Sequence, residues 1–239
     1  MDALASLERE LRGIFGERLQ SLVAYGLAAH DEPSAGDGHH AAQDPVRTMA
    51  IVDSLTEQDL RGCASRIAAW HDQGFATPLF VPARELDRSL DAFPLEFAAI
   101  SANHVVVAGP DPFERAAVDR DDVRRACEVQ ARSHLLHLRE GFIEAAGNGN
   151  ALALLIGDSA RPLAALVKAL ARLDGNHKFD AAAAGRHAER ILALPGGVIT
   201  GVIALGRAHE IPAAEAERLF PTYLAAMERL VEHVDRWHQ

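Results

Sequence analysis

The sequence has few aromatic residues, few cysteines and no long uninterrupted apolar run. Aromatic side chains make up 5% of the 239 residues, so alanine, leucine and valine must build the core. Cys63 and Cys127 are the two cysteines, far apart, which favours reduced thiols in a cytoplasm over a disulfide framework. No apolar run reaches the roughly 18 residues of a membrane span, and the acidic amphipathic start "MDALASLERELRGIFG" lacks the features of a signal peptide. The sequence therefore predicts a soluble, cytoplasmic, globular protein with no membrane partner.

Positive charge is also scarce, and its distribution is uneven. Residues 1–115 hold 18 Asp or Glu and 9 Arg, a net charge of −9, whereas residues 116–239 carry a net charge of −1. The two lysines, Lys168 and Lys178, both lie in the second half. A surface that binds nucleic acid needs clustered lysine and arginine. The composition therefore argues against a nucleic-acid partner for the acidic half and favours a charged surface that maintains solubility.

The first half shows the mixed pattern of an α/β module. Apolar spacing predicts a helix over 3–15, and "QSLVAYG" predicts a short strand closed by Gly26. Thr56 and Asp59 have the spacing of a capping box, which predicts a helix that runs to about His71. The remaining predictions are a loop over 30–46, strands over 48–55, 76–82 and 104–109, and a short helix over 84–90.

The second half has helical spacing throughout. Helices are predicted over 119–145, 150–157, 161–174, 180–194, about 197–207 and 213–237. Pro162 is placed in the first turn of a helix, and Gly175 is placed at a helix C-terminal cap. The sequence therefore predicts an α/β domain over residues 1–115 followed by an all-helical domain over residues 116–239.

The order of these elements and one short phrase together resemble a known superfamily. The segment "GERLQSLVAYGLAA", Gly16 to Ala29, is similar to phrases such as "GDRLVSVVLYGSRA" in nucleotidyltransferases of the polymerase-β-like type. The segments 91–113 and 127–147 also resemble the end of the α/β part and the first long helix of bacterial relatives. The resemblance implies an α+β fold, with a small mixed sheet in the N-terminal domain and a helical bundle after it.

The resemblance also implies a particular chemistry. In such enzymes a glycine-serine turn after the first strand approaches the nucleotide phosphates through backbone N–H groups. Two carboxylates alternate along the second strand as Asp-x-Asp, so both lie on one face and hold Mg²⁺ ions that activate the attacking hydroxyl. A third carboxylate comes from a later strand. Mg²⁺ requires hard oxygen ligands of this kind.

This sequence departs from that pattern at each point. The serine position holds Leu27, and residues 47–51, where the alternating carboxylates belong, read Arg-Thr-Met-Ala-Ile. The third strand, "TPLFV", has no carboxylate. Asp53 lies beyond the expected place, at the end of the second strand. We therefore expect no catalytic residue, no metal ligand and no cofactor, and a nucleotide-binding turn formed by Tyr25, Gly26 and Leu27.

Two other groups of residues are candidate sites. The segment "HDEPSAGDGHH", residues 30–40, offers histidines and carboxylates as metal ligands, but it lacks the spacing of structural zinc sites, which favours a surface loop. Arg132 and His137 have a spacing that resembles HEPN ribonucleases. On a continuous helix these two side chains lie roughly 140° apart, which favours ordinary surface residues.

The functional prediction is a catalytically degenerate nucleotidyltransferase-like protein that binds a nucleotide or a protein partner as a regulatory module. One alternative is an active nucleotidyltransferase that uses Mg²⁺ and displaced ligands such as Asp44 or Asp53. A second alternative is an interaction protein in the manner of an antitoxin. A homodimer is left open.

Overall fold

The computed structural model describes residues 2–26, 45–206 and 210–238. The chain forms two compact units, Met1–Val118 and Asp119–Gln239. We call them the sheet unit and the helical unit, and each is described by itself.

The sheet unit contains a four-stranded mixed sheet, with the strands β1 Leu19–Tyr25, β2 Arg47–Val52, β3 Leu79–Pro82 and β4 His104–Ala108. The strand order is β3-β2-β1-β4. Strand β1 pairs antiparallel with β2 and with β4, and β2 pairs parallel with β3. The helices are α1 Asp2–Phe15, α2 Glu57–Ala64, α3 Ile67–Asp72, α4 Leu86–Ala92 and α5 Pro94–Ala102. The sequence patterns did not predict α5.

The two faces of this sheet are covered by two separate apolar clusters. Ala50 and Val52 of β2 belong to a cluster built around α1, which we call the α1 face. Met49 and Ile51 belong to a cluster with Phe97 of α5, which we call the α5 face. Successive residues of a strand point to opposite faces, and both faces are buried here. This explains why β2 reads as a continuous apolar run rather than an alternating one.

The segment after β2 begins as predicted but does not continue as one helix. Thr56 caps α2 in a capping box with Asp59, as the spacing indicated. The prediction of a single helix to about His71 is wrong, because α2 ends at Ala64 and α3 begins at Ile67. The break accompanies the burial of Trp70, which is fully buried and donates from its indole nitrogen to Glu10 at 3.0 Å.

The helices of the helical unit are α6 Arg120–Ala145, α7 Gly149–Leu173, α8 Ala181–Ile191, α9 Val198–Leu205 and α10 Ala213–Asp235. Helix α7 lies at the centre and contacts the other four. Together the two units confirm the predicted fold class, an α+β protein with a small mixed sheet followed by a helical bundle. Gly175 also has the predicted role, because it ends α7 at φ +84° and its N–H donates to Arg172.

Helix α7 corrects the prediction of two separate helices in this part of the chain. The sequence predicted two helices, over 150–157 and 161–174, with Pro162 in the first turn of the second. One helix, α7, spans both ranges, and Pro162 lies inside it. A proline within a helix costs about 3 kcal/mol, and the fully buried Ile156 and Leu163 on its two sides offset that cost by packing into the core.

Among the described residues α7 is also the one helix long and apolar enough to cross a membrane by length and composition. A core helix of a soluble protein passes the same test.

Candidate functional site at the end of strand β1

Tyr25 and Gly26 lie where β1 ends, at the edge where β2 and β4 both begin. Tyr25 is paired with Arg47 on one side and with His104 on the other. Gly26 has φ +73°, the left-handed conformation that favours glycine, and it turns the chain out of the sheet. Leu27, the third residue of the predicted nucleotide-binding turn, lies outside the described residues. The structure thus brings a phenol, a guanidinium and an imidazole together around a glycine turn.

The backbone of Gly26 is already engaged. Its N–H donates to the carbonyl of Asn103 at 3.3 Å, which ties the end of β1 to the residue before β4. Leaving the two neighbouring residues aside, no atom of a described residue lies within 4 Å of the place where a Cβ would stand on Gly26. The amide that a phosphate would approach is already shared with Asn103.

Tyr25 and Arg47 form the exposed part of this edge. Tyr25 is half-buried beside the cluster on the α5 face, and burial raises the pKa of its phenol while the Arg47 charge opposes that rise. Arg47 is exposed. An exposed guanidinium next to a half-buried ring can bind a phosphate or carboxylate and can support a stacked base.

His104 completes the edge, and sequence reasoning missed it. Its Nδ1 lies 3.0 Å from the carbonyl oxygen of Ser101, and its Nε2 lies 3.1 Å from Oδ1 of Asp111. The same Asp111 oxygen accepts from the N–H of Phe113 at 2.8 Å. Both ring nitrogens face oxygen acceptors, so the imidazole is held in one orientation. No pattern near His104 in the sequence indicated its contact with Asp111. The chain turns after β4, and only this turn places Asp111 beside the imidazole.

Neither face of β2 presents a carboxylate. On the α5 face Met49 is fully buried and Ile51 is 4% exposed, so apolar side chains fill the place where alternating carboxylates would hold metal ions. On the α1 face Thr48 and Ala50 are both fully buried. If the carboxylate positions of active enzymes are aligned one residue earlier or later on β2, they fall on the other face of the sheet. That face carries no carboxylate either.

Asp53 lies at the wrong end of the sheet to replace those carboxylates. It follows Val52, which pairs with Leu19 at the beginning of β1. Six residues of strand span about 20 Å, and Asp53 lies that far along β2 from the edge that holds Tyr25. Its own N–H donates to Arg18 at 2.9 Å, and its carboxylate accepts from the side chain of Gln20. Hydrogen bonds thus hold Asp53 at the end of β2 opposite to the one beside Tyr25.

The other candidate ligands of the sequence fall outside the part of the chain that the structure describes. Asp44 and the candidates of residues 30–40, which include His30, Asp31, His39 and His40, lie outside the described residues. Within the described ranges no group of three or more His, Cys, Asp or Glu side chains is placed to hold a metal ion. The side chains that the structure describes at the end of β1 therefore do not fit the Mg²⁺ that the resemblance implies.

Arg132 and His137, the ribonuclease-like pair, are not brought together. The guanidinium of Arg132 binds Asp235 of α10 at 2.7 Å, whereas His137 is exposed and lies 3.5 Å from Glu140. The histidine that α6 does bury is His134, which the sequence reasoning did not single out. The interpretation of Arg132 and His137 as surface residues agrees with these contacts.

A separate apolar cavity of about 440 Å³ lies on the α1 face of the sheet unit. Trp70 and Cys63 are among its buried walls, and burial raises the pKa of the Cys63 thiol. Its lining residues are Leu55, Leu60, Cys63, Ala64, Ile67, Trp70, Thr77, Pro78 and Phe80. This cavity is on the other side of the sheet from Met49, so it is not part of the edge around Tyr25.

Comparison with known proteins shows a similarity in structure but none in sequence. No protein-family model matches the chain, and no curated protein sequence matches it. A solved structure of spectinomycin adenyltransferase AAD(9) from Enterococcus faecialis, with ATP and spectinomycin, is similar to it over 96% of this chain and 98% of that one. The TM-score is 0.60 and the sequence identity is 11%. At this identity the likeness shows the fold alone, and the chain has a nucleotidyltransferase-like fold.

Proposed function

We propose that the chain is a catalytically inactive protein of nucleotidyltransferase-like fold that binds a nucleotide at the end of β1 and acts as a binding or regulatory module. The observation that carries the proposal is β2, where Met49 and Ile51 fill the α5 face. Metal-dependent nucleotidyl transfer needs two or more carboxylate oxygens at a common point to hold Mg²⁺. A thioether and an aliphatic side chain cannot supply them.

The surroundings of Tyr25 support binding without a metal. Arg47 is exposed and stands across from Tyr25 in the sheet, so its guanidinium is available for a phosphate group. The half-buried phenol ring beside it offers a face on which a base can stack. The similar adenyltransferase structure was solved with ATP. A nucleotide is therefore the class of ligand that we propose for the end of β1.

The test is calorimetry with ATP, GTP, CTP and UTP, each with Mg²⁺ and with a chelator. We expect at least one nucleotide to bind with an affinity that the chelator does not change. Arg47→Ala should weaken that binding about tenfold or more, because a charged hydrogen bond to phosphate contributes roughly 1.5–3 kcal/mol. Arg61→Ala is the matched control, since Arg61 is an exposed arginine on α2 that pairs with Glu57.

The enzymatic alternative gives the opposite results. It predicts binding that depends on Mg²⁺ and transfer of a labelled nucleotide to a small molecule, an RNA or a protein. It also predicts that Asp53→Ala abolishes transfer, although Asp53 lies at the far edge of the sheet. Mg²⁺-dependent transfer in the wild type would overturn the proposal, and the absence of binding by all four nucleotides would remove its nucleotide part.

A further inference from the structure

The apolar cavity on the α1 face lies at the break between α2 and α3. Its walls come from these two helices and from the chain at the beginning of β3. Leu60 of α2 is 48% exposed, whereas Trp70 of α3 is fully buried, so the cavity extends from the surface toward the core of the sheet unit. Its volume of about 440 Å³ is in the range of pockets that hold small molecules, roughly 300–1,000 Å³.

Two aromatic walls of the cavity are held in place by α1. The indole nitrogen of Trp70 donates to Glu10 at 3.0 Å. The ring of Phe80 packs against the ring of Phe15, with the two centroids 5.4 Å apart. Side chains anchored in this way keep their positions while the cavity is empty. A ligand therefore meets a cavity that is already formed, and its binding costs little rearrangement.

The walls offer a ligand little hydrogen bonding and no charge. The described lining residues are apolar except for Cys63, Trp70 and Thr77. The indole nitrogen of Trp70 is already bonded to Glu10. The hydroxyl of Thr77 lies 3.3 Å from Nε2 of His71, and burial raises the pKa of the Cys63 thiol, which therefore stays uncharged. A charged ligand would lose its hydration here without gaining an opposite charge.

The size of the cavity narrows the class of ligand further. An apolar cavity of about 150 Å³ stays dry and binds one benzene ring. A cavity of about 440 Å³ therefore has space for roughly two or three rings. Trp70 and Phe80 are aromatic, and aromatic rings prefer offset-stacked or edge-to-face contacts with one another. A flat ring system can make such contacts with either wall.

We propose that the cavity is a binding site for a neutral aromatic molecule of roughly two or three rings. Binding removes apolar surface of both the ligand and the walls from water, which is the driving force. We expect one molecule per chain and a dissociation constant in roughly the micromolar range. The cavity is on the other face of the sheet from Met49, so binding there does not require a nucleotide at the end of β1.

The indole N–H signals in an NMR spectrum test the site in the wild-type protein. Trp70 lines the cavity, whereas Trp237 belongs to the helical unit. The probe is naphthalene, and the Trp237→Phe variant assigns the two signals. Naphthalene should shift the Trp70 signal until it saturates and leave the Trp237 signal in place. A Trp70 signal that does not move, or equal shifts of both signals, would overturn the proposal.

Filling the cavity tests it by mutation. Ala64 is an exposed alanine that lines the cavity, and Ala68 is an exposed alanine of α3 outside the lining. Phenylnaphthylamine, a neutral fluorophore whose emission rises in apolar surroundings, is titrated into each variant. Ala64→Phe should weaken its binding about tenfold or more, because the new ring overlaps the ligand. Ala68→Phe is the matched control and should bind as the wild type does. Equal affinities of the two variants would contradict the cavity as the site.

A matched pair of competitors tests the chemical class of the ligand. Naphthalene and naphthoate share the same rings, but naphthoate carries a carboxylate. Naphthalene should displace phenylnaphthylamine, and naphthoate should do so about tenfold less well or worse, because the walls offer no cation to replace its hydration. Equal displacement by the two compounds would contradict a neutral ligand.

Sedimentation velocity separates a small molecule from a side chain of a second copy of the chain. The wild type and Ala64→Phe should sediment alike at every concentration, with and without naphthalene. A wild-type dimer that either Ala64→Phe or naphthalene dissociates would show that a second copy fills the cavity. That result would overturn the assignment to a small molecule.

Discussion

The Nε2 atom of His134 and the phenolic oxygen of Tyr223 lie 2.6 Å apart in the core of the helical unit. The same phenolic oxygen lies 3.0 Å from the hydroxyl of Ser159, which itself donates to the carbonyl of Ile156 at 2.8 Å. One assignment of protons satisfies the whole row: His134 donates to Tyr223, Tyr223 donates to Ser159, and Ser159 donates to Ile156. Three helices, α6, α7 and α10, are thus joined through one buried hydroxyl.

Replacing that hydroxyl should destabilise the helical unit. Tyr223→Phe keeps the ring but leaves His134 without its partner, and an unsatisfied buried polar group costs about 1–3 kcal/mol. Tyr25→Phe is the matched control, since the Tyr25 hydroxyl makes no hydrogen bond to a described residue. Urea unfolding followed by the fluorescence of Trp237, in a Trp70→Phe background, reports on the helical unit. Equal midpoints for the two variants would contradict the role of the row.

His134 should also make the stability of the helical unit depend on pH. Burial, assisted by the neighbouring His137, lowers the pKa of His134 from 6.5 to about 4. Below pH 6.5 the unfolded chain binds a proton that the folded chain does not bind until pH is near 4. Stability should therefore be fully present above pH 6.5 and fall between pH 6.5 and 4, with a total loss of about 3 kcal/mol from this group.

The measurement is the free energy of unfolding of the helical unit at several pH values, compared between the wild type and His134→Gln. Glutamine cannot titrate, so the difference between the two curves isolates His134 from the other histidines. The difference should shrink as pH falls from 6.5 to 4 and then become constant. A difference that does not change with pH would contradict the lowered pKa of His134.

Glu189 anchors the beginning of α9 from inside the fold. Its Oε1 accepts from the backbone and the hydroxyl of Thr200 at 2.9 Å and 3.0 Å, and its Oε2 accepts from the N–H of Gly197 at 3.2 Å. Glu189→Gln removes the charge and one acceptor, so it should cost about 1–3 kcal/mol in thermal or urea unfolding. Glu228→Gln removes an exposed partner of Arg139 and should have little effect. Equal losses of stability in the two variants would contradict the role of Glu189 in capping α9.

Thr48 offers a stabilising change in the sheet unit. It is fully buried on β2, and its hydroxyl has no hydrogen-bond partner among the described residues. Thr48→Val keeps the shape and removes the unsatisfied group, so it should raise the free energy of unfolding by about 1 kcal/mol. Trp70 fluorescence in a Trp237→Phe background reports on this unit. A loss of stability would show that the hydroxyl is satisfied in the folded protein.

The elements could largely be predicted from the sequence because their signals are local. The capping box of Thr56 and Asp59 and the glycine cap at Gly175 depend on residues within a few positions of each other. Met49 and its neighbours also indicated, from the sequence alone, that β2 carries no carboxylates.

The group of residues at the end of β1 could be predicted only in part, because those that surround Tyr25 and Gly26 come from distant segments of the sequence. His104 is placed next to Tyr25 by the pairing of β4 with β1, and Asp111 reaches His104 only after the chain turns beyond β4. Pro162 shows a different limit. A local rule that breaks a helix is overridden there by the burial of the residues around it, and burial is a property of the whole fold.

Among the described glycines of the sheet unit, Gly109 is the one where a side chain should be most costly. It has φ +76°, and a Cβ at this residue would lie 1.9 Å from the backbone oxygen of Gln20 on β1. Gly109→Ala therefore combines left-handed strain, which costs about 1–2 kcal/mol, with a clash that only a backbone shift can relieve. Gly74→Ala is the matched control, because Gly74 has φ +84° and no atom of a described residue lies within 4 Å of its Cβ position. Urea unfolding followed by Trp70 should show a modest loss for Gly74→Ala and a loss larger by about 2 kcal/mol or more for Gly109→Ala. Equal losses would mean that strain alone decides, and that β4 is free to move away from β1.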